Sequence, residues 1–186
     1  AEQNDVPLLI GFIHDKCVND LKFGRSVVDY QTAANKYFGP QAEEFLKENS
    51  LSAFYDDVAI SGLTLAQYDL QRGALDESQR IAIRETIGEL IDSLSDHDDV
   101  PPAATPGTGG QPALPTFTPE ALATEWQNRP VLCVSGRGDL DEAAAMLLAH
   151  LLEKRGLGAR VLSCKATPQG IPSLDITGVR MVCASY

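Results

Sequence analysis

The sequence predicts an α/β unit preceded by a separate α-helical unit. Three observations carry this expectation. Apolar residues over 77–95 recur at helical spacing; after residue 130 the pattern changes to short apolar runs around one Ala/Leu-rich helix; and residues 98–119, DDVPPAATPGTGGQPALPTFTP, interrupt both patterns. A segment this rich in Pro, Gly and Thr returns too little contact energy to offset its ordering entropy, so it reads as a flexible linker. The expected organisation is an acidic helical domain over 1–97, the linker over 98–119 and an α/β domain over 120–186.

In the front unit the clearest helix spans 77–95, where Ile83, Ile87, Leu90, Ile91 and Leu94 form one apolar stripe and Arg80, Arg84, Glu85, Glu89 and Asp92 lie elsewhere. Asp76 stands where its carboxylate can accept from first-turn amides, and Gln79 three residues on completes a capping-box spacing. Leu51 to Gln71 reads as a helix with Phe54, Val58, Gly62 and Leu65 at helical offsets and Gly73 as its C-cap. Shorter helices are expected over 41–48 and, weakened by Gly24, over 15–38. Four helices in this length suggest a small antiparallel bundle.

In the rear unit Val131 to Ser135 is a short apolar run between Pro130 and Gly136, the pattern of a strand buried on both faces. Leu140 to Arg155 follows as a helix closed by Gly156, then strands over 159–163 and 179–185. Strand, helix, strand, crossover, strand is the opening of a partial flavodoxin-like (Rossmann-like) parallel sheet with strand order 2-1-3. The third strand, VRMVCASY, would then stand at an edge that invites pairing. The expectation is that the chain is a segment of a longer polypeptide or that another chain completes the sheet, against the alternative of a minimal three-stranded domain.

Charge and cysteine usage narrow the function classes. The net charge is −11, and it resides entirely in residues 1–100, which hold 8 basic and 19 acidic side chains. Such a surface repels phosphate backbones and anionic headgroups, which argues against nucleic acid as a partner. No apolar run approaches the roughly 20 residues that span a bilayer. Cys17, Cys133, Cys164 and Cys183 lack CxxC spacing and a histidine cluster, so neither a zinc site nor a thioredoxin-like motif is supported, and no cofactor is expected. Cys133 and Cys183 fall inside apolar runs, where a free thiol behaves as a small hydrophobe.

The candidate site is the turn Ser135, Gly136, Arg137, Gly138 and Asp139, which joins the first strand to its helix where open α/β sheets bind ligands. The glycines allow a tight turn, the free amides at the helix start favour an anion, and Arg137 adds a fork of donors for phosphate or carboxylate. Against this, the full GxGxxG is missing, and Asp139, Asp141 and Glu142 put three carboxylates where an anion would sit. The other reading makes Asp139 an N-cap and Glu142 the closing member of a capping box. His150 reads as a packed helix residue, and His14 and His97 as surface residues. Asp96, Asp98 and Asp99 lack the alternation of a calcium loop and read as a solvated helix end. Trp126, with Phe117 and Leu122, is expected to anchor the linker end, and Asp56 and Asp57 point to neighbouring helix faces.

Residues 42–94, with the phrases EEFLKE, LSAFYDDVA and LAQYDLQRGALD, resemble a segment that follows the last membrane helix in proteobacterial members of the autoinducer-2 exporter family. The stretch PVLCVSGRGDLDEAAAMLLAHLLEKRGLGARVL and the closing VRMVCASY are similar to the extension that comes next in longer members. The resemblance implies a regulatory region at the cytoplasmic face of a bacterial inner membrane, partnered by the membrane-embedded portion of the same or another protein. The layout also resembles cobalamin-binding modules, but Asp141 stands where their cobalt-ligating histidine would be and Ala144 where their glycine would be.

These readings lead to a noncatalytic regulatory or interaction module that takes a small anionic ligand at Ser135–Asp139, with homo-oligomerisation through the open sheet edge as a further partner expectation. The alternatives are an enzyme at the same strand ends, with Arg137 binding the anion and Asp139 or Asp141 moving a proton, and a degenerate cobalamin-like sensor.

Overall fold

A computed structural model describes residues 42–99, 117–118, 122–163 and 176–186. The chain divides into two units, Ala1–Pro102 and Ala103–Tyr186. The expected helix over 15–38, residues 100–116 of the linker and residues 164–175 of the last crossover lie outside the described residues, as do His14, Cys17 and Cys164.

The described part of the first unit is helical. A short helix at 42–46 leads to α1 (Leu51–Phe54), a π-helical segment (Tyr55–Ile60) and α2 (Ser61–Gln71), followed by α3 (Glu77–Ser93). The Ser50 hydroxyl accepts from the Ala53 amide at 3.1 Å and so starts α1. Phe45 and Phe54 meet edge to face with ring centroids 5.5 Å apart, which ties the 42–46 turn to α1.

The π segment changes which residues α2 buries. A regular α-helix carrying Phe54 and Val58 inward would also carry Leu65 inward. The wider π turn rotates the face, so Leu63 and Ala66 are buried and Leu65 is exposed. Asp69 is buried on the same helix, and its carboxylate pairs with Arg72 one turn on. Gly73, at φ +69°, ends the helix: its amide donates to Leu70 O at 3.0 Å and the Ala74 amide donates to Asp69 O at 2.9 Å. These two bonds are the Schellman closure that the glycine signals. At the start of α3 the expected capping box forms: the Gln79 amide donates to Asp76 Oδ1 and the Asp76 amide to Gln79 Oε1, each at 2.8 Å. Ile83, Ile87, Leu90 and Leu94 are buried as the stripe requires, and Ile91 is half-buried at its margin.

The second unit contains a 3-10 turn (Thr124–Trp126), β1 (Val131–Ser135), α4 (Asp139–Lys154), β2 (Ala159–Leu162) and β3 (Met181–Ser185). The sheet is parallel, with order β2-β1-β3; Val131 lies opposite Ala159 on one side and Met181 on the other. This is the α/β architecture and strand order expected from the sequence. Helix α4 packs on the sheet through Ala145 and Ala149 against Val131, Cys133 and Ala159, with Leu152 and Cys183 at the margin. Alanine at the contact lets the helix approach the strands closely.

Gly156 closes α4 at φ +83°, with its amide donating to Glu153 O at 3.0 Å and the Leu157 amide to Leu152 O at 2.9 Å. Here there is no room for a side chain, because a Cβ would fall 1.8 Å from Phe117 O. The Phe117 amide donates to Arg155 O at 2.8 Å, so this backbone is held against the helix end. Among the described residues no helix is long and apolar enough to cross a membrane.

Candidate functional site at the first strand–helix turn

In a 2-1-3 sheet the chain leaves β1 to one side and returns on the other, which places the topological switch at the carboxyl ends of β1 and β3. The turn Ser135–Asp139 occupies that place. Ser135 is buried at the end of β1, and its hydroxyl donates to Leu162 O on β2 at 3.3 Å. The Gly136 amide donates to Ser185 O on β3 at 2.8 Å. A Cβ at Gly136 would meet that oxygen at 2.8 Å and Tyr186 Cβ at 3.1 Å, so the position is fixed by close approach. Neither Gly136 nor Gly138 has a positive φ.

The amide of Arg137 donates to Asp141 Oδ2 at 2.8 Å, and its guanidinium Nε lies 3.7 Å from the same oxygen. The Arg137 side chain is 65% exposed and that of Asp141 only 13%, so the carboxylate sits inward of the cation. One carboxylate thus takes the Arg137 amide and lies beside one edge of a guanidinium that keeps further donors on its exposed side. Helix α4 then starts at Asp139, with Gly138 in the N-cap position and no side-chain cap.

The expected Asp139–Glu142 capping box is not formed. Asp139 is already inside the first turn, where its side chain lies beyond the N-cap geometry, and Glu142 instead accepts from the Ser163 hydroxyl just past β2. Asp139 and Glu142 are both buried, and with Asp141 they place three carboxylates at the positive end of the helix dipole. The sequence reading included Asp141 as a competitor for an anion but missed it as the partner of Arg137. Arg137 precedes the N-cap Gly138, so the i, i+4 rule for two residues on one helix does not signal this contact. Ser163 had no local signal, since its contact spans 21 positions.

The other residues singled out in the sequence have surroundings of their own. His150 is buried on α4. Phe117, Leu122 and Trp126 are each half-buried, and Asp56 and Asp57 are exposed. Asp99 departs from the solvated helix end expected of its cluster: it is buried, and its carboxylate accepts from the Ser52 amide at 2.9 Å at the start of α1. Burial and the Asp99 charge together push the Tyr55 phenol well above its ordinary value. No group of three or more metal-ligating side chains is present among the described residues. Comparison with models of known protein families, with characterised proteins and with solved structures found no match.

Proposed function

We propose that the chain is a noncatalytic regulatory or interaction module in which a small anion is sensed at Ser135–Asp139 in competition with the chain's own Asp141. The carrying observation is the double hold of Asp141 on Arg137, through the backbone amide at 2.8 Å and the guanidinium at 3.7 Å. An incoming phosphate or carboxylate meets the exposed guanidinium first and gains the Arg137 amide only by displacing that carboxylate, so full binding loosens the Arg137–Asp141 pair. A ligand of this kind biases two arrangements only through its differential affinity for them. The hydroxyls beside the turn, Ser135 and Ser163, are spent on Leu162 O and Glu142, which supports binding over nucleophilic chemistry.

The finer architecture in this reading is a small helical bundle and a flavodoxin-like partial sheet joined by the 98–119 linker. The setting is the cytoplasmic face of a bacterial inner membrane, with a transport protein of the autoinducer-2 exporter type as partner, as the sequence resemblance implies. Strand β3 supports a macromolecular partner or a second copy of the chain: Met181 is 47% and Val182 60% exposed at the end of the described strand order.

Calorimetric titration with inorganic phosphate, then with a nucleotide as a second arm, tests the ligand reading. Wild type is expected to bind and Arg137→Ala to lose binding. Equal binding by both proteins, or none by wild type, overturns it.

A further inference from the structure

Cys133 and Cys183 are in-register partners on the parallel strands β1 and β3. In-register residues of parallel strands present their side chains to the same face, and both thiols contribute to the cluster under α4. Adjacent strands lie about 4.8 Å apart, inside the Cα window that a disulfide accepts. The two thiols are free in this structure; Cys133 is fully buried and Cys183 half-buried.

We propose that Cys133 and Cys183 form a reversible oxidation site, in which peroxide converts the dithiol to a disulfide that staples β1 to β3. The half-buried Cys183, less covered than Cys133, is the entry point. Its thiolate attacks one oxygen of hydrogen peroxide, the O–O bond breaks, and Cys183 becomes a sulfenic acid as hydroxide leaves and takes a proton to become water. The Cys133 sulfur then attacks the Cys183 sulfur, the S–O bond breaks, and the departing hydroxyl leaves as water with the proton from Cys133. The sum is two thiols and one peroxide giving one disulfide and two waters.

Burial, and secondarily the charge of a Cys183 thiolate, push the Cys133 thiol up to about 11, which leaves the first attack to Cys183 and makes the resolving attack by Cys133 the slow step. The disulfide returns to two thiols by exchange with an external thiol.

The test uses the full chain in its Cys17→Ser/Cys164→Ser form, with wild type mapped in parallel in case that variant folds poorly. After peroxide and thiol alkylation under denaturing conditions, both thiols are expected to resist alkylation, a cross-linked Cys133–Cys183 peptide is expected by mass spectrometry, and dithiothreitol restores both. Adding Cys183→Ser leaves Cys133 alkylated in full after peroxide. Two alkylated thiols after oxidation, Cys183 carried to sulfinic acid with Cys133 untouched, or cross-links only between chains would overturn the proposal.

Discussion

The starts of α3 and α4 carry the same local spelling, an Asp followed three residues later by Gln or Glu, yet they are held in different ways. At α3, Asp76 and Gln79 satisfy each other's amides in a closed reciprocal pair. At α4, Glu142 is drawn to Ser163, Asp141 reaches back to Arg137, and the N-cap position falls to Gly138. The helix C-termini repeat the contrast. Gly73 and Gly156 close α2 and α4 with the same pair of bonds, but a Cβ at Gly73 meets nothing within 4 Å while one at Gly156 would strike Phe117 O at 1.8 Å. A capping signal in the helical unit is a local device. In the sheet unit the same signal lies beside strand ends and connecting backbone, and tertiary partners take over its side chains.

Substitutions that leave the local signal similar but change the surroundings sharpen this contrast. The largest effect is expected for Gly156→Ala, which combines a left-handed φ with a backbone clash and should cost about 3 kcal/mol or more in chemical denaturation. Gly73→Ala carries the φ cost alone, about 1 kcal/mol; equal losses at the two glycines would break the comparison. Glu142→Ala removes a charge-assisted bond at a buried position and should cost about 2 kcal/mol, with Ser163→Ala adding little on top in a double-mutant cycle. Full additivity of the two changes would show that the Glu142–Ser163 contact contributes nothing.

Asp76→Ala should cost about 1 kcal/mol at neutral pH from loss of the cap, the same size as Gly73→Ala. Its pH dependence has a definite sign. The Gln79 amide first, then the Ser78 hydroxyl, hold the Asp76 carboxyl below its ordinary value. The stabilisation is therefore complete above the unfolded value near 3.8 and disappears as pH falls through the lower native value. Wild type and Asp76→Ala should converge in stability at the acid end of a pH series; a gap that widens below pH ~4 would contradict the cap.

Much of the fold was legible because its signals are short-range. The 3.6-residue stripe of α3, the closing glycines, and the apolar runs of β1, β2 and β3 each act within a few positions, and the 2-1-3 order follows from chain topology once the strands are placed. The π segment was not legible. Tyr55–Ile60 reads as ordinary helix, and the buried Leu63 and exposed Leu65 reveal the rotation. The site was legible as a location and misread in its bonding. Gly136 is there because Ser185 and Tyr186 approach it, and Asp99 because it reaches Ser52 across 47 positions, contacts that no local pattern encodes.

The claim that Asp141 occupies the place of an anion is tested most directly by the phosphate affinity of Asp141→Asn against wild type, measured by calorimetry on matched preparations with unchanged circular dichroism. Removing the competing charge should tighten binding about fivefold, equivalent to about 1 kcal/mol. Phosphate affinity that is unchanged or weaker in Asp141→Asn would contradict it.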